Sequence, residues 1–176
     1  AHKTESIRHY VSRNALNIDG LGERIIELLV DKKLVLNFAD LFRLDINDII
    51  NLEGFGEKSA TNLIKSIQAS KDTNLSRFIY SLGIREVGEA TAMNLALNFN
   101  NISKFLAADE QDFLEINDIG PVASNYIKEF LASDENINLV KDLIALGVNP
   151  KEMEVRNDNP FSSKSIVITG SFNNIA

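Results

Sequence analysis

Cysteine and tryptophan are both absent from this 176-residue chain, and histidine occurs only as His2 and His9. Without cysteine there is no disulfide and no thiolate metal site within the sequence. Two imidazoles are too few to build a zinc site alone, so His9 is expected to pack on or near a helix. No apolar run approaches the roughly 20 residues that span a bilayer. The start shows no signal-peptide pattern, which makes the cytosol the expected compartment.

Recognisable catalytic chemistry is also missing. There is no glycine-rich phosphate loop followed by lysine, no pair of histidines at ligand spacing and no carboxylate cluster with metal-site spacing. The run Asn17-Ile18-Asp19-Gly20 has the outline of a Lys-x-Asp-Gly nucleotidyl-transfer signature. Asn17 stands where the lysine must be, and an amide cannot be adenylated. The chain is expected to bind and not to react.

Basic charge is scarce too. Eighteen Lys and Arg face 25 Asp and Glu, a net charge of -7. That weighs against a nucleic-acid partner, which usually meets a basic footprint. Backbone N–H groups in a glycine turn or at a helix N-terminus bind phosphate without any basic side chain, however. Residues 134–160 hold six acids against three bases, so part of the acidity lies beyond the repeats described next.

What the chain does have is a repeat. Gly22, Gly56, Gly88 and Gly120 are separated by 34, 32 and 32 residues, a period that points to stacked supersecondary units. One residue before each glycine is a hydrophobe (Leu21, Phe55, Val87, Ile119), and four before it is another (Ile18, Leu52, Ile84, Ile116). Two before it stand Gly20, Gly54, Glu86 and Asp118. Glycine therefore reads as optional at that place, and only the last glycine reads as a backbone requirement. Each hairpin leads into an amphipathic helix: Ala60, Leu63, Ile64 and Ile67 follow Gly56, and Ala92, Leu95, Ala96 and Phe99 follow Gly88 at the same offsets. Pro121 opens the fourth helix, where its missing N–H costs nothing.

The expected fold class is all-α: four tandem helix-hairpin-helix motifs in a compact helical domain over residues 1–148, with hairpins near 18–22, 52–56, 84–88 and 116–120. Asp45, Thr73 or Asn74, Asn101 and Asp134 are the expected helix caps, a short helix is expected to follow Asn37, and Gly147 is the last stop. Residues 149–160, with Asn149-Pro150 and Asn159-Pro160, read as a linker. Ser165-Ile166-Val167-Ile168-Thr169 reads as a strand, the beginning of a second domain in residues 161–176.

Hairpins of this form hold duplex DNA by its phosphate backbone, which fixes position without reading sequence. Gly54-Phe55-Gly56 is expected to present its amides to a phosphate, with Phe55 fastening the turn to the core. Arg13, Arg24, Lys58, Lys65, Arg85 and Lys128 lie near the hairpins and would add charge attraction. Glu23, Glu57 and Glu89 directly follow three of the glycines. They favour the helix dipole but would repel a phosphate on the axis, so a phosphate is expected from the side.

The runs His9-Tyr10-Val11-Ser12-Arg13, Ile18-Asp19-Gly20-Leu21-Gly22-Glu23, Ala39-Asp40-Leu41-Phe42-Arg43-Leu44, Gly56-Glu57-Lys58-Ser59-Ala60 and Leu82-Gly83-Ile84-Arg85-Glu86-Val87-Gly88-Glu89 closely resemble the C-terminal part of bacterial NAD-dependent DNA ligases. The resemblance implies a module of a cytoplasmic enzyme that seals nicks in duplex DNA, lying on the minor-groove side and helping to encircle the duplex. NAD, magnesium and zinc are implied for the whole ligase and none for this segment. Residues 161–176 look like the truncated start of a BRCT domain, which implies an α/β fragment after the linker. The implied DNA-binding residues are Gly20, Leu21, Gly22 and Arg24; Gly54, Phe55, Gly56 and Lys58; Arg85, Val87 and Gly88; and Ile119 and Gly120. The implied partners are nicked duplex DNA and the other domains of the same ligase, with the module a monomer and no membrane contact. Two alternatives remain open: a helical-repeat scaffold for protein interaction, which lacks the tetratricopeptide and ankyrin signature residues, and the helix-hairpin-helix arm of a repair nuclease.

Overall fold

A computed structural model of the chain describes residues 7–12 and 15–153. A helical turn at residues 7–10 leads to α1 (Glu23–Asp31), a 3-10 helix (Phe38–Arg43), α2 (Ile46–Ile50) and α3 (Glu57–Ala69). Then come β1 (Asp72–Asn74), α4 (Leu75–Ser81), α5 (Glu89–Phe99), α6 (Ile102–Leu106) and α7 (Glu110–Leu114). The last elements are α8 (Pro121–Ala132), α9 (Asp134–Ala145) and β2 (Asn149–Lys151). The strand expected at Ser165–Thr169, and Arg13 among the basic candidates, lie outside the described residues.

Short polar side chains start most of the short helices. Asn37 with Asp40, Asp45 with Asp48 and Asp109 with Asp112 form reciprocal boxes, in which each side chain accepts the other residue's backbone N–H. Asn74 caps α4 and Asn101 caps α6 through the N–H groups of Arg77 and Lys104. The cap of α9 is Ser133, whose Oγ accepts the N–H of Asn136, and not Asp134 as the sequence suggested. Asp134 is the first helical residue and there meets the positive end of the dipole. Gly147 ends α9 at φ +104°, and the Val148 N–H returns to the Leu143 carbonyl at 3.0 Å.

The domain is helical, with one small exception that the sequence did not announce. Residues 72–74 and 149–151 pair as parallel strands, Asp72 opposite Asn149 and Thr73 opposite Pro150. Neither segment is β-branched throughout or alternating, so pattern alone could not distinguish them from turns. The Asn149 N–H bonds the Lys71 carbonyl at 2.7 Å and the Met153 N–H bonds that of Asn100 at 3.1 Å. The packed chain therefore continues into the stretch that composition reads as a linker.

One apolar core runs through all four units. Phe38, Phe78, Phe105 and Phe113 are fully buried, each contributing about 2–3 kcal/mol relative to exposure. Tyr10 stacks on Phe38 with ring centroids 3.6 Å apart, fixing the N-terminal turn to the 3-10 helix. Phe99, Phe105 and Phe113 meet edge to face around the third and fourth units, 5.6 to 6.2 Å apart. His9 packs as expected: its Nε2–H donates to the Tyr80 carbonyl at 2.7 Å and its ring lies 4.9 Å from that of Tyr80.

Candidate nucleic-acid interface

Each hairpin begins as a four-residue turn. The Phe55 N–H bonds the Leu52 carbonyl at 3.0 Å, the Val87 N–H bonds that of Ile84 at 3.0 Å, and the Ile119 N–H bonds that of Ile116 at 3.3 Å. The third residue of each turn is left-handed: Gly20 at φ +90°, Gly54 at +89°, Glu86 at +68° and Asp118 at +68°. A turn of this kind favours glycine at that place. The sequence reading is thus corrected, because the position that looked optional carries the backbone demand. Two side-chain-bearing residues occupy it under strain.

The glycine present in all four copies stands elsewhere on the map. Gly22, Gly56, Gly88 and Gly120 are helix N-caps with φ of -79°, -120°, -88° and -87°, conformations open to any residue. A Cβ on any of them meets nothing within 4 Å. All four are exposed. Neither strain nor internal packing accounts for glycine here. What the missing side chain does is leave the start of each helix bare.

Donors are available at that bare surface. The amides of Gly22, Gly88 and Gly120 have no acceptor among the described residues, and the first-turn amides that follow are the unsatisfied donors of any helix N-terminus. Proline at 121 removes one of them. Two amides expected to face a ligand are taken internally: Phe55 N–H closes its turn, and Gly56 N–H donates to Ser59 Oγ at 2.9 Å. At the second hairpin the open donors are those of the first helical turn instead.

The hydrophobes among the predicted site residues face inward. Leu21, Val87 and Ile119 are buried and Phe55 is half-buried, so they hold the turns and present only backbone outward. Arg24, Lys58 and Arg85 are exposed. The Arg24 guanidinium of the first unit lies over the second hairpin, 3.3 Å from where a Cβ of Gly54 would stand. Arg85 of the third hairpin lies 5.2 Å from the centre of the Tyr126 ring in α8. A guanidinium held on a ring face keeps its charge while losing rotamer freedom.

Three contributors escaped the sequence reading. Ser59 could have been found from its place three residues after the cap, the usual partner position of a capping box. Arg8 pairs with Glu23 at 2.8 Å, offsetting the carboxylate beside the first hairpin, and no local signal marks that long-range pair. Tyr126, which steadies Arg85, lies in the next unit, and nothing in the sequence of the third hairpin points to it. Among the described residues no group of three or more His, Cys, Asp or Glu side chains could hold a metal ion, and no helix is long and apolar enough to cross a membrane.

The comparisons agree with this geometry. Residues 12–69 match the SAM-like helix-hairpin-helix tandem family and residues 77–140 the helix-hairpin-helix motif family, so each match spans two hairpins. A DNA ligase of Saccharophagus degradans is 45% identical over 177 aligned positions, covering 100% of this chain and 26% of that protein. Those of Cellvibrio japonicus and Hahella chejuensis are 43% and 45% identical, each covering 97% of this chain and 25% of the ligase. The chain spans about a quarter of the length of these relatives. Both halves of the chain thus carry helix-hairpin-helix motifs, and the chain is homologous to one segment of the DNA ligases.

Proposed function

We propose that this chain is the DNA-binding module of a DNA ligase, holding duplex DNA by its phosphates without reading base sequence. The observation that carries the proposal is the open α-carbon at all four N-cap glycines. A residue type repeated four times without internal cause points to something external that must come close, and a sugar–phosphate chain approaching helix N-terminal amides needs that clearance. Amide donors also explain how a chain of net charge -7 serves such a partner. With glutamates beginning three of the four helices, the phosphate meets each hairpin from the side, clear of the axis.

The finer reading follows the family. The module lies along the minor groove of a nicked duplex, as a monomer docked to the other domains of a cytoplasmic, NAD-dependent enzyme that joins a 3'-hydroxyl to a 5'-phosphate. NAD, magnesium and zinc would serve the rest of that enzyme. The described residues offer no metal-ligand set for them.

Fluorescence anisotropy with a nicked duplex tests the proposal. Binding should tighten as salt falls and be indifferent to base composition. Gly88→Val should weaken it about tenfold or more while the circular dichroism spectrum stays helical. Absence of binding by the wild-type chain at about 50 mM salt overturns the proposal.

A further inference from the structure

The four hairpins are alike in backbone and unlike in the residue that stands beside the cap. At the second residue after the shared glycine stand Arg24, Lys58, Ala90 and Val122. This residue occupies the first helical turn, beside the bare cap. Arg24 and Lys58 are exposed, and neither forms an ion pair among the described residues. The carboxylate nearest the first cap, Glu23, is already held by Arg8.

Around the other two hairpins no cation stands in that first helical turn beside the cap. Glu86 and Asp118 occupy the left-handed turn positions, and Glu89 follows Gly88 as Glu57 follows Gly56, neither with an ion pair among the described residues. Lys128 is drawn off to Glu110 at 3.1 Å, and Arg85 is held on Tyr126. Val122 is 64% exposed, an apolar side chain standing in water immediately beside the fourth cap. Burial in the monomer does not account for its choice, whereas contact with a sugar edge would.

We infer that the two halves of the module divide the grip on DNA. Hairpins 1 and 2 supply the charge-dependent part through Arg24 and Lys58, with the Arg24 guanidinium shared between the first helix and the second turn. Hairpins 3 and 4 meet the sugar–phosphate chain through backbone amides and the apolar Val122. This inference rests on the DNA-binding function proposed above. It deepens that reading by assigning the charge to one half.

The test is the salt dependence of nicked-duplex affinity for the full 176-residue chain, measured from about 50 to about 200 mM salt. Each phosphate neutralised by a side chain contributes about -0.9 to the slope of log affinity against log salt. The Arg24→Gln and Lys58→Gln double variant should therefore lose about 1.8 from the magnitude of the slope. Val122→Lys should add about 0.9, because a cation placed there would gain a phosphate. Urea unfolding of each variant confirms that the fold is retained, as these side chains are exposed. An unchanged slope in the double variant, or no steepening with Val122→Lys, overturns the division of roles while leaving DNA binding intact. Failure of the wild-type chain to bind at the lowest salt overturns the proposed function and this inference together.

Discussion

Gly54 and Gly56 are two residues apart in one turn and serve opposite needs. Gly54 sits at φ +89°, where an L side chain is strained. Gly56 is extended at φ -120°, with free space above its α-carbon. Gly54→Ala should therefore cost about 1 kcal/mol of stability, the usual penalty of a Cβ in left-handed backbone. The Arg24 head group nearby is flexible and can move aside. Gly56→Asn should leave stability unchanged or raise it by a few tenths of a kcal/mol, since asparagine is a better N-cap than glycine. Its side chain should still weaken DNA binding about tenfold. Urea unfolding and anisotropy on the same two proteins check the pair, and a Gly56→Asn chain that binds like wild type contradicts it.

The same turn position carries side chains in the other half. Glu86 and Asp118 adopt φ +68° with no structural return. Glu86→Gly should stabilise the domain by about 0.5–1 kcal/mol, net of the backbone freedom glycine restores to the unfolded chain. Asp118→Gly should gain less, because aspartate tolerates left-handed backbone better than glutamate does. Midpoints of urea unfolding at constant m-value give the comparison.

The repeat itself was legible because its requirements are local. Ile84 and Val87 must both face the core for the turn to close, so spacing alone revealed them. The conformation inside the turn was not legible, since Glu86 and Asp118 carry no mark of positive φ and frequency of glycine pointed to the wrong position. The pairing of Asp72–Asn74 with Asn149–Lys151 was hidden for a different reason. Two three-residue strands distant in sequence, one containing proline, show no period to detect. Arg8 with Glu23 and Arg85 with Tyr126 depend on how units pack, which a sequence pattern within one unit does not encode.

Asp40 ties down the start of the 3-10 helix. Burial pushes its carboxyl up, but hydrogen bonds from the Leu36 N–H, the Arg43 guanidinium and the Asn37 N–H outweigh that, and the pKa falls below its ordinary value of 3.8. A depressed carboxyl contributes stability that is fully present above that ordinary value and lost as pH drops through the lower folded-state value. Asp40→Asn should cost about 1–2 kcal/mol at pH 7. The difference between variant and wild type should shrink below about pH 4, as followed by thermal melts across the acid range.

Tyr10 gives the opposite pH signature. Burial against Phe38 pushes its hydroxyl from 10.0 up to about 12. The folded state thus holds the proton more tightly than the unfolded state. Its contribution is fully present below pH 10 and lost as pH rises from about 10 to about 12, at most about 2–3 kcal/mol over that interval. The informative quantity is the difference from Tyr10→Phe. That variant should keep the ring stack and show a shallower alkaline loss of stability.

The boundary of the helical domain is open to a direct measurement. A chain ending after Val148 loses the β1–β2 pairing, including the 2.7 Å bond from the Asn149 N–H to the Lys71 carbonyl, and the bond from Met153 to Asn100. A chain ending after Met153 keeps both. Each backbone bond contributes about 1 kcal/mol net, so loss of these two bonds and the rest of the ladder should make the shorter chain at least about 2 kcal/mol less stable and lower its melting temperature by at least roughly 4–8 °C. The exposed Lys151–Asp72 pair adds little to this difference. Equal melting temperatures for the two chains would show that the pairing contributes nothing and that the domain ends at Val148.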